Sequence, residues 1–154
     1  MDAHHDHYRD DNQFELAVST AASILEYGAR EGLSMGLCTL ANEIEKFAPA
    51  SGITSIGQML RHLVDLDRNG SGKPEHRLES ISQFFTSGCF FVIISPLNES
   101  QLKTTFHFAK SKLMTPYHIQ IGEQATVQKT ISLSGMYVTS LQELPIIMGG
   151  GRTA

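Results

Sequence analysis

The chain of 154 residues contains no tryptophan, only two cysteines and no long apolar run. Cys38 and Cys89 are far apart and lack C-x-x-C spacing, so we expect two buried, reduced thiols rather than a disulfide or a metal site. The longest apolar run, CFFVII, is too short to cross a membrane. The start MDAHHDHYRDD is polar and acidic, unlike a secretory signal. These absences predict a cytoplasmic protein.

Basic residues are also few. Twelve Lys and Arg stand against sixteen Asp and Glu, which gives a formal charge of -4. The first eleven residues hold four aspartates against one arginine and so carry -3 of it, which leaves the remainder nearly neutral. No basic stripe, phosphate loop or G-x-G-x-x-G pattern is present. This composition argues against a nucleic-acid partner and against a nucleotide cofactor.

The remaining pattern alternates between helix and strand. Phe14, Val18, Ala21, Leu25 and Ala29 recur at three- and four-residue steps, which predicts an amphipathic helix over 14–31 that begins at a cap on Asp11 or Asn12 and ends at Gly32. Apolar runs predict strands at 33–40, 44–49, 88–95 and 116–121, the first two forming a hairpin, with further helices at 53–66, 76–85 and 99–112 and a second hairpin from 127–133 and 136–141.

This order predicts an α/β fold, an open sheet with helices on both faces. We expect a disordered polar leader over 1–11, a single α/β domain over 12–145 and a loose tail over 146–154. In the helix at 53–66 we expect Ile56, Leu60, Leu63 and Val64 to point inward.

The helix pattern E-L-A-V-x-x-A-A-S-I-L, followed by a G-L strand, resembles the von Willebrand A-like domain of a bacterial family called domain of unknown function 58. The resemblance covers roughly residues 13–122. It implies a Rossmann-like sheet whose first, central strand precedes the helix at 14–31. Only the polar leader occupies that place, so we expect the central strand to be missing and the chain to start inside its domain. Strands 33–40 and 88–95 are too apolar for open edges, which predicts either a rearranged strand order or a homodimer.

The resemblance also implies a divalent-cation site built from three loops. The first, Asp-x-Ser-x-Ser after the central strand, has no counterpart in the expected position. The second supplies a threonine, which the segment SGITSIGQML places at Thr54. The third supplies an aspartate where this chain has Ser95 and Pro96. We therefore expect a degenerate site without metal or cofactor; Thr54 is alternatively a simple helix N-cap.

Two other segments contain possible metal ligands. Residues 65–76 match the first half of an EF-hand loop through Asp65, Asp67, Asn69 and Gly70, but His76 occupies the position of the bidentate glutamate. A solvated connection between helices is therefore favoured. The leader groups histidines and aspartates that could bind zinc or nickel adventitiously. These are His4, His5, Asp6, His7 and Asp10.

His107 and His118 belong to no recognisable catalytic triad and are expected to be surface or packed residues. The favoured function is a noncatalytic protein-interaction or scaffold module. The resemblance implies a MoxR-type AAA ATPase as the partner, with any membrane link made by segments absent from this chain. The alternative is a binding domain that depends on Mg²⁺ or Ca²⁺, and an enzyme ranks third.

We expect recognition at the carboxyl ends of the strands, where open α/β sheets form a crevice. A competing surface is the helical face, if Phe84, Phe85, Phe106 and Phe108 are not all buried. The predicted binding residues are Ser51, Thr54, Ser55, Ser95, Asn98 and Glu99.

Overall fold

A computed structural model describes residues 1–122 and 135–138. The described residues form an α/β fold, as predicted, in which helices alternate with short strands. The first half of the predicted second hairpin, 127–133, and the tail at 146–154 lie outside these residues. The elements are α1 (Asp11–Arg30), β1 (Met35–Leu40), β2 (Ile44–Ala50), α2 (Ile53–Val64), α3 (Pro74–Ser80), a 3-10 turn (Ser82–Phe84), β3 (Phe90–Ser95), α4 (Lys103–Ser111), β4 (Thr115–Ile121) and β5 (Gly135–Val138).

The strands form two small sheets. β1 and β2 pair antiparallel, with Leu40 opposite Ile44, which confirms the predicted hairpin. β3, β4 and β5 pair parallel in that order. β1 and β3 do not pair with each other, so the expectation that a rearranged order brings these two apolar strands together is wrong.

The first residues lie in the space between β1 and β3. Where a disordered leader was expected, the Asp2 N–H donates to the Ile94 carbonyl at 3.0 Å and the Leu40 N–H donates to the Met1 carbonyl at 3.0 Å. Ala3 and Tyr8 are buried. The sequence did not predict this extended segment, because its side chains are polar. Backbone pairing between strands, however, does not require apolar side chains. Met1 and Asp2 thus hydrogen-bond to the ends of both strands.

Helix α1 begins and ends at local signals. Its N-cap is Asp10, one residue before the predicted cap, and Asp10 Oδ1 accepts a hydrogen bond from the Gln13 N–H at 2.9 Å. Gly32 follows the helix with φ of 68°, a left-handed conformation that glycine adopts without strain, as predicted. The buried face of α1 comprises Phe14, Ala17, Thr20, Ala21, Leu25 and Gly28.

Helix α2 differs from the prediction in two respects. Ile56, Met59 and Leu63 form its buried face, whereas Val64, expected to point inward, is 83% exposed. A residue that follows Leu63 directly is rotated by about 100° and leaves the apolar stripe. The N-cap is Gly52, without a side-chain hydrogen bond, so the reading of Thr54 as the cap is also wrong.

The core has two apolar clusters on opposite faces of the strands. One contains the buried residues of α1 and α2 together with Leu37 and Ile94, and the other contains Leu40, Leu78 and Phe108. Neighbouring residues of a strand point to opposite faces, which is why β1 supplies both clusters. The four phenylalanines considered as an exposed helical patch are buried or half-buried.

Candidate functional site at the carboxyl ends of the strands

A buried carboxylate lies where the first residues meet β3. Asp2 is 4% exposed and accepts three hydrogen bonds: from the His4 N–H at 3.0 Å, His7 Nδ1 at 2.7 Å and Ser95 Oγ at 2.8 Å. The Tyr8 hydroxyl donates to the Asp2 carbonyl at 2.6 Å. Burial alone would raise the pKa of the Asp2 carboxyl, but the hydrogen bonds and the nearby His7 outweigh it and hold that pKa below its usual value.

The Asp2, His7 and Ser95 group differs from a catalytic triad in its order of contacts. In a triad the imidazole lies between the hydroxyl and the carboxylate, so that it can take the hydroxyl proton. Here the carboxylate lies in the middle, because Ser95 Oγ and His7 Nδ1 both donate to Asp2 Oδ2. Ser95 Oγ also accepts the Leu97 N–H at 3.2 Å. The serine hydroxyl is therefore held by its neighbours, and within this group no imidazole is placed to take its proton.

A second polar group lies beside the carboxylate and closer to solvent. The metal-ligating atoms of His4, His5 and Asp6 all lie within 4.8 Å of one another. The His4 ring stacks on His5 with centroids 5.1 Å apart and on His7 at 4.1 Å. Burial and the neighbouring His7 lower the pKa of His4, so the neutral ring is favoured. Imidazoles with a carboxylate suit zinc, nickel or copper better than Mg²⁺ or Ca²⁺. However, His4 Nδ1 already accepts the Asp6 N–H at 3.2 Å.

The loop between α2 and α3 completes this part of the molecule. The Gly70 N–H donates to the Ala3 carbonyl at 2.8 Å, and the Gly70 carbonyl accepts the His5 N–H at 3.2 Å. A Cβ on Gly70 would lie 2.2 Å from the Leu40 carbonyl oxygen, so only glycine fits here. Asp65 and Asp67 are exposed, and within residues 1–122 the acids of this loop form no cluster that could hold a metal. In the structure, the loop with the partial EF-hand pattern thus packs through Gly70 against the first residues and the end of β1.

The predicted binding residues do not form one surface. Ser51, Thr54 and Ser55 follow β2, which is antiparallel to β1 and pairs Ala50 with Met35 at the start of β1. These three residues therefore lie at the edge opposite Leu40 and Asp2. The carboxyl ends of two antiparallel strands lie at opposite edges, so the hairpin that the sequence predicts is incompatible with a single surface made of all six residues.

Of the other three predicted residues, Ser95 ends β3 and bonds to Asp2, and Asn98 and Glu99 follow that strand. Ser95 is fully buried, so a partner could not contact its hydroxyl. Asn98 and Glu99 are exposed. Asn98 Oδ1 accepts hydrogen bonds from Ser100 Oγ at 2.6 Å and from the Gln101 N–H at 3.1 Å, which fixes the turn before α4. The exposed rim of this edge thus includes Asn98, Glu99, His5 and Asp6.

Sequence analysis assigned Asp2 no site and gave His7 and Gly70 other roles, as a possible metal ligand and as part of an EF-hand pattern. A signal for Asp2 was present, because Asp2, His4 and Asp6 have the spacing of an Asp-x-Ser-x-Ser loop with both serines replaced. His118 is packed rather than exposed: it is buried, and its Nε2 lies 3.4 Å from the Ser95 carbonyl. Burial lowers the pKa of His118. His107, by contrast, is exposed.

Among the described residues, no helix combines the length and apolarity that crossing a membrane requires. Comparison of the sequence with models of known protein families gives no match. Comparison with curated proteins gives no match either.

Proposed function

We propose that this chain is a noncatalytic protein-interaction module of the von Willebrand A-like type, with a degenerate metal site at the carboxyl ends of its strands. The strand pairings support such a sheet. Because Met1 bonds to β1 and Asp2 bonds to β3, these two residues can link the two small sheets in the order β2, β1, residues 1–2, β3, β4, β5. Helices packed on both faces of the strands agree with this architecture.

The observation that carries the noncatalytic interpretation is the internal pairing of Asp2. In the resembled family an aspartate after the central strand helps to hold a cation. In this chain Asp2 takes hydrogen bonds from His7, Ser95 and the His4 N–H instead. A carboxylate with three donors has little capacity left for a metal or for proton transfer. The internal donors would thus replace the cation, and the edge would serve recognition.

The proposed binding surface contains only two of the six residues that the sequence predicted. It comprises the exposed rim around Asn98 and Glu99, continued by His5 and Asp6. The rim offers carboxylates, an amide and imidazoles without a matched acid and base, which suits a polar protein contact. The family resemblance makes a MoxR-type AAA ATPase the partner to test first.

The test is binding of a purified MoxR-type AAA ATPase to the immobilised chain, measured by biolayer interferometry. Charge reversal by Glu99→Lys should weaken binding at least about tenfold, because it changes the sign of a rim contact. The control is Glu31→Lys, which makes the same change at an exposed residue after α1, at the opposite edge. Equal affinities of the two variants would refute the assignment of the surface.

The alternative function, binding that depends on Mg²⁺ or Ca²⁺, gives a different result in the same assay. A chelator should leave binding unchanged if the internal hydrogen bonds replace the cation. If the chelator abolishes binding and Mg²⁺ or Ca²⁺ restores it, the alternative is correct. Calorimetric titration adds a direct check, in which we expect no saturable micromolar binding of either ion. Loss of any such binding in Thr54→Ala or Asp65→Ala would identify the loop responsible.

A further inference from the structure

Two neighbouring side chains of the leader lie at the distance that separates two ligands of one metal ion. His5 Nε2 is 3.1 Å from Asp6 Oδ1, and both side chains are more than half exposed. An ion at about 2.0 Å from each atom, the usual length of a bond from zinc to nitrogen or oxygen, would form an angle of about 100° with them. This angle is close to the tetrahedral geometry that zinc prefers. The pair therefore has the spacing of two zinc ligands before any side chain moves.

The fold orients the His5 ring for this role. His5 Nδ1 lies 3.0 Å from the Gly70 carbonyl oxygen, which can only accept, so Nδ1 carries the hydrogen. The lone pair of the neutral ring is then at Nε2, the atom that faces Asp6. Metal-bound histidines usually donate their other ring N–H to a carbonyl or a carboxylate in this way. Gly70 is 65 residues away from His5 in the sequence, so the folded chain rather than the leader alone provides this orientation.

The contact between His5 and Asp6 requires a positive charge between the two side chains. An ionised carboxylate only accepts hydrogen bonds, and the Nε2 lone pair of a neutral imidazole is an acceptor as well. Two acceptors 3.1 Å apart repel each other unless a proton or a metal ion lies between them. A proton gives an exposed ion pair, which contributes little to stability. A transition-metal ion in the same place bonds to both atoms.

His4 provides a third ligand beside this pair. The ligating atoms of His4, His5 and Asp6 lie within 4.8 Å of one another, and the His4 and His5 rings are nearly parallel, at 7°. Ligand atoms around a tetrahedral zinc ion are about 3.3 Å apart, so a movement of about 1.5 Å brings His4 into place. The hydrogen bond that His4 Nδ1 accepts from the Asp6 N–H is exposed, so water can replace it. Three protein ligands leave the fourth position of the ion open to water.

We propose that His4, His5 and Asp6 bind Zn²⁺ in the folded chain. Two imidazoles and a carboxylate favour Zn²⁺ and its transition-metal neighbours over Mg²⁺ and Ca²⁺, which prefer oxygen ligands. Asp2 is not a ligand, because its carboxylate is bonded within the chain, so this site differs from the degenerate site for Mg²⁺ or Ca²⁺. Since His5 stays bonded to Gly70, the ion would stabilise the packing of the leader against the loop between α2 and α3. The proposal goes beyond the proposed function and stands without it, because zinc binding requires no partner.

Calorimetric titration of the full chain with zinc chloride should show saturable binding of one ion per chain. His5→Ala should weaken this binding at least about tenfold, because it removes the ligand that Gly70 orients. Asp6→Asn keeps the size of the side chain and should weaken binding by a similar factor, because it removes the charged ligand. The matched control is His107→Ala, which removes an exposed histidine of α4 and should leave the affinity unchanged. The partner assay contains no added zinc, so the two proposals can fail separately.

Thermal unfolding followed by circular dichroism distinguishes a folded site from a histidine-rich segment that binds zinc in any conformation. Zinc at about a hundredfold excess over its Kd should raise the thermal midpoint by at least about 5 °C, because only the folded chain has the site. A synthetic peptide of residues 1–11 should bind zinc at least about tenfold more weakly than the chain, since it lacks Gly70. An unchanged midpoint, equal affinities of peptide and chain, or full affinity in both His5→Ala and Asp6→Asn would overturn the proposal. So would half an ion per chain with sedimentation as a dimer, since two copies would then share the ligands.

Discussion

Removal of the Asp2 carboxylate should destabilise the chain severely. Asp2→Ala deprives the Ser95 hydroxyl, His7 Nδ1 and the His4 N–H of their acceptor. Each hydrogen bond to a charged group contributes about 1.5–3 kcal/mol, but the terms overlap because two donors share Oδ2. His7 is 19% exposed and can turn to water, whereas Ser95 is fully buried. We therefore expect a loss of about 3–4 kcal/mol in the free energy of unfolding, within the range for breaking a buried pair.

Urea unfolding followed by far-ultraviolet circular dichroism measures this loss, because the chain has no tryptophan to report by fluorescence. Asp67→Ala is the control, since Asp67 is an exposed aspartate and its removal should change stability by less than about 0.5 kcal/mol. Ser95→Ala should cost about 1–3 kcal/mol, and the double variant with Asp2→Ala should cost less than the sum. A loss below about 1 kcal/mol for Asp2→Ala, or full additivity with Ser95→Ala, would refute the network described here.

Three further outcomes follow from single contacts. The pKa of Asp2 is lowered in the folded chain, so its contribution to stability is complete above its unfolded-state pKa of about 3.9 and is lost as pH falls through its folded-state pKa. Asp2→Asn should therefore flatten the acid side of a plot of urea midpoint against pH. An unchanged acid side would contradict the pairing. Gly70→Ala should lower the free energy of unfolding by more than about 2 kcal/mol, because its Cβ would overlap the Leu40 carbonyl. Gly72→Ala, at a glycine with φ of 78° and open space around it, should lower that free energy by only about 1–2 kcal/mol in urea unfolding. Equal losses would show that the loop moves away. Thr105→Val removes a buried hydroxyl without a partner and should raise the thermal midpoint, by the equivalent of about 1 kcal/mol; a lower midpoint would show that this hydroxyl is bonded in solution.

The sequence by itself determined the elements whose signals are local. The spacing of Phe14, Val18, Ala21 and Leu25, in steps of four, three and four residues, defined α1, and Gly32 marked its end. Apolar runs located β1, β3 and β4 to within a few residues, and the hairpin of β1 with β2 followed from the short connection at Asn42. Helical periodicity and strand alternation depend on neighbouring residues along the chain, so a single sequence contains them.

Tertiary structure alone decided where the polar segments lie. Asp2 and His7 looked like part of a solvated leader, because a charged side chain becomes compatible with burial only when distant groups such as Ser95 supply its hydrogen bonds. The separation of β1 and β3 into two sheets also depends on which strands pair, since the apolar character of both strands would be the same in another order. These properties arise from contacts between residues far apart in the chain, so the pattern of neighbouring residues does not predict them.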